Sequence, residues 1–381
     1  MIYYGRQSVN EADIETVVSV LRSDFLTQGP AIERFEKRVA EYCGAKYAVA
    51  VTNATSALHI ACRAAGLSHG DTLWTSPITF VASANCGRYC GTKVDFVDID
   101  DTTYDMSVDE LEKKLEAGGC PQVVVPVHLC GQSCDMEKIK ALAKRYGFTV
   151  IEDASHALGA TYKDTKVGSC VYSDMTVFSF HPVKIITTGE GGMVLTNSKE
   201  LYEKLILYRS HGITRDAAKM TREADGPWYY QQIELGYNYR MTDIQAALGY
   251  SQMERLDAFV ARRRALAKQY DELLSDLPLR TPKQSADTNS SWHIYVVRLD
   301  KARVKKSKTE IFEEMKARGV TLNLHYIPVY MQPYYQALGF NQGDFPVSER
   351  YYEEAFTLPL YCELTDEQQD TVVNALKEVL S

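Results

Sequence analysis

From about residue 30 to residue 200 the chain alternates segments of helical and of strand periodicity, and that alternation limits the possible folds more than any other feature. Apolar residues recur at helical spacing through Ile32, Phe35, Val39 and Tyr42. A strand pattern follows at 45–51, a helix at 55–65, a strand at 72–75 and a helix at 81–90. Further strands are read at 94–97, 122–127, 148–151 and 175–180. Ser107 to Glu110, ahead of Leu111 and Leu115, has the form of a capping box that opens another helix. Helices interleaved with strands require crossover connections, so the reading is an α/β fold with a mostly parallel sheet covered by helices. On such sheets ligands gather beyond the carboxyl ends of the strands.

Two strand ends carry reactive groups. The strand at 148–151 runs into Glu152 and Asp153, and the strand at 175–180 leads to Lys184 and then to the turn Gly189, Glu190, Gly191, Gly192. A lysine buried at a strand end beside permissive backbone is poised to lose its proton and attack a carbonyl. A carboxylate on a neighbouring strand end suits pyridoxal phosphate, since the lysine can hold that cofactor as a Schiff base while the carboxylate keeps its pyridine nitrogen protonated. A solvated lysine beside a turn joining two strands has the same local sequence, so this segment does not choose between the two. No Gly-x-Gly-x-x-Gly or Gly-Lys-Ser/Thr run opens any of the helices, which leaves dinucleotide and nucleoside-triphosphate binding through those motifs unsupported. Asn53 to Leu58, between a strand and a helix, offers small residues, hydroxyls and a helix N-terminus to a phosphate. The same residues would also serve as an ordinary N-cap.

At 381 residues the chain can bury a full core and make two domains. A helical pattern runs from about 242 to 277 and stops near Pro278 and Pro282. Beyond it come a strand at 291–298, a helix at 308–318, a strand at 321–325 and a helix from Asp366. The division is a large domain over 1–250, with the linking helix and a small C-terminal α/β domain over 251–381. The net charge of −8, with Lys and Arg spread along the chain, gives no electrostatic case for nucleic acid or an anionic membrane. The N-terminus has no basic segment followed by an apolar run, and no stretch nears 18 apolar residues. Nine scattered cysteines fit reduced cytosolic thiols better than a disulfide framework, so a cytoplasmic location is expected. His128, Cys130 and Cys134 lack the second pair of ligands a zinc site needs, and no metal is expected.

Taken in order, segments 26–30, 54–58, 76–83, 152–159, 179–192, 209–212 and 235–249 resemble the DegT/DnrJ-type sugar aminotransferases, a branch of fold-type I pyridoxal-phosphate enzymes. The likeness covers nearly the whole chain, and its ordered set of motifs is far more specific than any one of them. It implies that Lys184 carries the cofactor covalently and moves the proton, and that Asp153 pairs with the pyridinium nitrogen. It further implies that Phe80 lies against the cofactor ring, that Thr55, Ser56 and Ser179 bind the phosphate, and that Asn238 reaches over from a partner subunit. Such a shared site requires a homodimer. His156 stands where the family often has Gln, near the cofactor's 3′ oxygen. Segments 179–184, 290–296 and 324–330 point, within the family, to amination at C4 of a UDP-linked 4-keto-6-deoxy-2-acetamido sugar, with L-glutamate as donor. The 25 tyrosines gather at 228–230, 237–239 and 326–335, where a ring face and a polar tip suit a sugar or a base as well as a core or an interface. His325 and Tyr326 are expected to touch the substrate, with Tyr330 and Trp228 as further candidates. The rivals are a transaminase of another nucleotide-linked ketosugar, a dehydratase of the same fold and a non-catalytic cofactor-binding regulator. Lys184 occupies the position that a dehydratase fills with histidine.

Overall fold

The computed structural model describes residues 1–381. Its centre is a seven-stranded sheet in the order Tyr47–Val51, Gly192–Thr196, Met175–Ser179, Thr149–Asp153, Val123–Val125, Thr72–Thr75, Lys93–Phe96. The last five of these run parallel. Gly192–Thr196 is antiparallel to both of its neighbours. Strands such as Val123–Val125 are buried throughout, as continuous apolar runs between two helical layers must be. The α/β reading with a mostly parallel sheet is therefore correct.

A second, three-stranded antiparallel sheet is formed by Leu279–Arg280, Tyr295–Leu299 and Ala355–Leu358. Helix Leu256–Leu273 joins the two bodies: Leu256, Phe259 and Val260 pack in the core of the large sheet, whereas Leu266, Ala267 and Tyr270 pack with Tyr295 and Phe356 in the second core. Helices Lys308–Ala317 and Asp366–Leu380 add Ile311, Met315, Val372 and Leu376 to that second core.

Four local expectations change. The helical pattern over 242–277 is two helices, Asp243–Met253 and Leu256–Leu273, with Arg255 off helical geometry between them. Neither Gly nor Pro marks this break; Arg255 instead turns its guanidinium onto buried Asp13. The strand at 291–298 begins only at Tyr295. The residues before it cross to the large body, where Ser291 and His293 donate backbone N–H bonds to the carbonyls of Gly131 and Cys130. The segment 321–325 is not a strand and makes a single bridge, Asn323 to Thr357. Ser107 caps its helix through Glu110 N, but the Glu110 carboxylate turns to Lys113 and leaves the capping box half made.

His128 lies wholly buried, 2.6 Å from a carboxylate oxygen of Glu152, and its neighbours Leu129–Gly131 form one 3-10 turn. All nine cysteines are unpaired. No helix is long and apolar enough to cross a membrane.

Candidate active site

Five strands of the large sheet deliver residues from their carboxyl ends into one cavity of about 640 Å³. Asn53 and Thr55 follow Tyr47–Val51, Thr79 and Phe80 follow Thr72–Thr75, and Val127 follows Val123–Val125. Asp153, Ser155 and His156 come from the next strand, and Ser179, His181 and Lys184 from the one after. The opposite wall is built by Tyr4, His293 and the segment Asn323 to Tyr326. A cavity of this size is in the range that holds a cofactor and part of a substrate.

Lys184 sits on a turn closed by its own N–H bond to the His181 carbonyl, 2.9 Å. Burial pulls its amine down to about 8 from an ordinary 10.5, with the charge of Asp153 working the other way. The glycines beyond it do something other than loosen the lysine. Only Gly189 has positive φ, 79°. A Cβ on Gly192 would lie 2.5 Å from the Asn53 carbonyl and 2.6 Å from Ala54 N. A bare residue at 192 is what lets the strand Gly192–Thr196 press against the start of helix Ala54–Ala64.

That helix is capped by Asn53, whose side-chain oxygen accepts the Ser56 N–H at 2.8 Å. The N–H groups of Ala54 and Thr55, in the first turn, have no intrahelical acceptor and face the cavity end of the helix. Thr55 and Ser179 line the cavity. Ser56 does not: it is buried, with its hydroxyl 3.2 Å from that of Thr52.

Asp153 is buried and held from both sides. One carboxylate oxygen accepts the Ser83 hydroxyl at 2.6 Å, and the other accepts the Ser155 hydroxyl at 2.6 Å and its N–H at 3.1 Å. Thr79 extends this chain, 2.7 Å from Ser83. Phe80 lines the cavity with an exposed ring, 6.2 Å from the ring of Tyr326.

His156, His293 and His325 are all buried around the cavity. Burial and the neighbouring Lys184 charge push His325 down to about 3, while its Nδ1 lies 2.8 Å from the Thr357 hydroxyl. Tyr326 lies 3.1 Å from His156 Nε2. Two candidates fall elsewhere. Tyr330 is buried in the apolar core beside Phe96 and Phe345 and donates to Glu349, and Trp228 is exposed and does not line the cavity of its own chain. Asn238 is exposed, bridges to Ser210 through its backbone, and does not line the cavity of its own chain. Sequence reasoning missed Ser83, Ser155, Tyr4, His293 and Asn323. The two serines could have been suspected from their nearness to Phe80 and Asp153, but nothing in the sequence brings Tyr4 to the site.

Residues 7–377 match the model of the DegT/DnrJ/EryC1/StrS aminotransferase family. The chain is 38% identical over 382 residues to the spore coat polysaccharide biosynthesis protein SpsC of Bacillus subtilis, covering 99% of this chain and 96% of that protein. It is 36% identical over 386 residues to the UDP-4-amino-4,6-dideoxy-N-acetyl-beta-L-altrosamine transaminase of Campylobacter jejuni, covering 100% of this chain and 98% of that one. Among solved structures it is similar to Helicobacter pylori PseC, an aminotransferase involved in the biosynthesis of pseudoaminic acid. There the TM-score is 0.91 at 31% identity, over 100% of this chain and 99% of that one. Forms carrying pyridoxal phosphate are among the solved neighbours.

Proposed function

The chain belongs to the DegT/DnrJ/EryC1/StrS aminotransferase family and is a pyridoxal-phosphate-dependent sugar aminotransferase, and from that premise we propose which sugar it aminates and which residues do the work. The acceptor is UDP-2-acetamido-2,6-dideoxy-β-L-arabino-hexos-4-ulose and the donor is L-glutamate. The product is UDP-4-amino-4,6-dideoxy-N-acetyl-β-L-altrosamine, a precursor in pseudaminic acid biosynthesis. Full-length similarity to a transaminase named for that product carries the choice of sugar.

The residues at hand fit the cofactor. The cavity offers an unpaired lysine amine, a carboxylate locked in place by two serines, free N–H groups at a helix N-terminus and a buried His156 Nδ1 without a partner. Pyridoxal phosphate, when bound, supplies an electron sink that lets a C–H bond beside nitrogen be broken and remade. Lys184 would hold the cofactor covalently and, once free, accept and return the proton. A lysine drawn toward neutrality by burial is suited to both tasks. Asp153 would face the pyridine nitrogen as a fixed negative charge. Thr55, Ser179 and the first-turn N–H groups of Ala54 and Thr55 would hold the phosphate. Ser56 belongs to the same cradle as the residue that fixes the cap, its hydroxyl being turned to Thr52. Phe80 would cover one ring face, His156 would meet the phenolic oxygen, and His325 and Tyr326 would close the sugar side. Asn238 would complete the phosphate site of a partner subunit in a homodimer. A cytoplasmic location agrees with nine unpaired cysteines.

The test is to supply the ketosugar in situ with L-glutamate and identify the product by mass and NMR. A 4-amino sugar of altro configuration with stoichiometric 2-oxoglutarate is expected, and Lys184→Ala should yield neither. Turnover by Lys184→Ala at the native rate would overturn the assignment of the site. Amination only of a different nucleotide-linked ketosugar would overturn the choice of substrate. That second reading is favoured by the Bacillus subtilis relative, which is named for spore coat polysaccharide biosynthesis.

A further inference from the structure

Two buried ring nitrogens at the Lys184 cavity have no hydrogen-bond partner in the protein: Nδ1 of His156 and Nδ1 of His293. His156 is held by two contacts on its ring and one on its backbone. Its Nε2 lies 3.1 Å from the Tyr326 hydroxyl, the His293 ring packs against it at 4.4 Å, and its backbone carbonyl accepts the Ser291 hydroxyl at 2.9 Å. All three contacts come from the C-terminal half of the chain, across the cavity from the strand that carries Asp153. Only Nδ1 is left over.

Burial, with the Lys184 charge adding to it, pushes His156 well below its ordinary range, so the ring is neutral and carries one N–H. Burial pushes Tyr326 up, with the Asp153 charge acting in the same direction, so the phenol keeps its proton. The charged and titratable groups that face this pair are Lys184, Asp153, His293, His325, Cys130, Tyr4 and Tyr351. A neutral imidazole beside a phenol has two arrangements. Either the phenol donates to Nε2 and Nδ1 carries the hydrogen, or Nε2–H donates to the phenol and Nδ1 is a bare acceptor. The phenolic oxygen of pyridoxal phosphate, when ionised, only accepts, and it therefore selects the first arrangement.

We propose that Tyr326 is a positioning residue that works through His156: its hydroxyl donates to Nε2, fixes the Nδ1–H tautomer, and so aims a donor at the phenolic oxygen of the bound cofactor. The inference rests on the cofactor reading above and gives Tyr326 a task distinct from touching the sugar. The donated bond favours the ionised oxygen, and with it the form of the bound cofactor that has lost its shared proton. Without the Tyr326 hydroxyl the tautomer is free and that proton is held more tightly.

The experiment is a pH titration of the visible absorbance of the holoenzyme in four proteins: wild type, Tyr326→Phe, His156→Gln and the double variant. A glutamine amide donates without any tautomer to set. Tyr326→Phe should therefore raise the apparent pKa of the bound cofactor by about one unit when His156 is present, and leave it unmoved when Gln stands at 156. An equal shift in both backgrounds, or none in either, overturns the proposal. If His156→Gln fails to retain cofactor, the ¹⁵N shifts of His156 in holoenzyme decide instead. The Nδ1–H form is expected in wild type and a mixture in Tyr326→Phe, whereas an Nε2–H form in wild type overturns the proposal. A wild-type protein that develops no visible band with pyridoxal phosphate would instead remove the cofactor reading itself.

Discussion

Lys184 and Glu152 show how differently one protein interior treats two buried charges. Lys184 has no carboxylate within ion-pair distance, and burial lowers its affinity for a proton to about 8. Below that pH both folded and unfolded chains carry the charge, and the folded one bears the cost of burying it. Between about 8 and 10.5 the folded protein has released the proton while the unfolded chain still holds it, so stability rises with pH across that window. Cofactor-free Lys184→Met should accordingly be more stable than cofactor-free wild type at pH 7, by about 3 kcal/mol, with the gap closing toward pH 10. Urea unfolding of both proteins across that range checks this, and a pH-independent gap would count against a buried, depressed amine. Glu152 is the opposite case. Burial acts to raise its pKa, but bonds from His128, Ser173 and Thr176 outweigh that and hold it below the ordinary 4.5. Its contribution to stability is present above pH 4.5 and is lost as pH falls through the depressed value. His128→Ala leaves the carboxylate buried without its main partner and should cost about 3 kcal/mol at pH 7, less in acid where Glu152 is protonated. The cluster of His128, Cys130 and Cys134 thus has an architectural member that braces the strand end next to Asp153.

At the level of elements, the site depends on how closely helix Ala54–Ala64 approaches strand Gly192–Thr196. Register places Gly192 opposite both Val51 and Ser179, between the two segments assigned to the phosphate. Gly192→Ala puts a methyl into the Asn53–Ala54 peptide, which is backbone and cannot swing away. The helix start must shift, so the variant should lose about 2 kcal/mol of stability and bind pyridoxal phosphate at least tenfold more weakly. Equilibrium unfolding and cofactor titration test the two effects separately, and unchanged affinity would mean that the first turn is not the phosphate seat. Elements also explain where periodicity misled. Residues 291–294 alternate like a strand, but Ser291 and His293 use their backbone N–H groups on Gly131 and Cys130, while the Ser291 hydroxyl donates to the His156 carbonyl and the His293 ring lines the cavity. Residues 321–325 have an apolar pattern, but Asn323, Leu324 and His325 line the cavity and make only one strand bridge.

Across the whole molecule, the cavity has one wall from each body, and helix Leu256–Leu273 holds the two together with a face in each core. Exposed Phe25, Leu26, Trp228 and Leu235 leave apolar surface that a second copy can cover. If Asn238 serves a partner subunit, then Lys184→Ala and Asn238→Ala proteins, each impaired alone, should regain activity when mixed and allowed to exchange subunits. A hybrid dimer then contains one site with both residues intact. Sedimentation should report a dimer, and mixing that restores nothing would argue against a shared site.

Strand and helix order, the parallel sheet, and the positions of Lys184 and Asp153 at strand ends were legible in the sequence. They depend on local periodicity and on the rule that parallel strands present their carboxyl ends together. The family was legible for a different reason, the order of its motifs along the chain. Tertiary structure alone brought Tyr4, His293 and Asn323 to the cavity, because those contacts join residues up to some hundreds of positions apart and leave no periodic trace. It also turned Gly192 from permissive turn backbone into a packing contact and withdrew the Ser56 hydroxyl from the cavity wall. Finally, it placed Tyr326 on His156. A hydrogen bond across 170 residues is decided by how two bodies meet, and no local pattern encodes that.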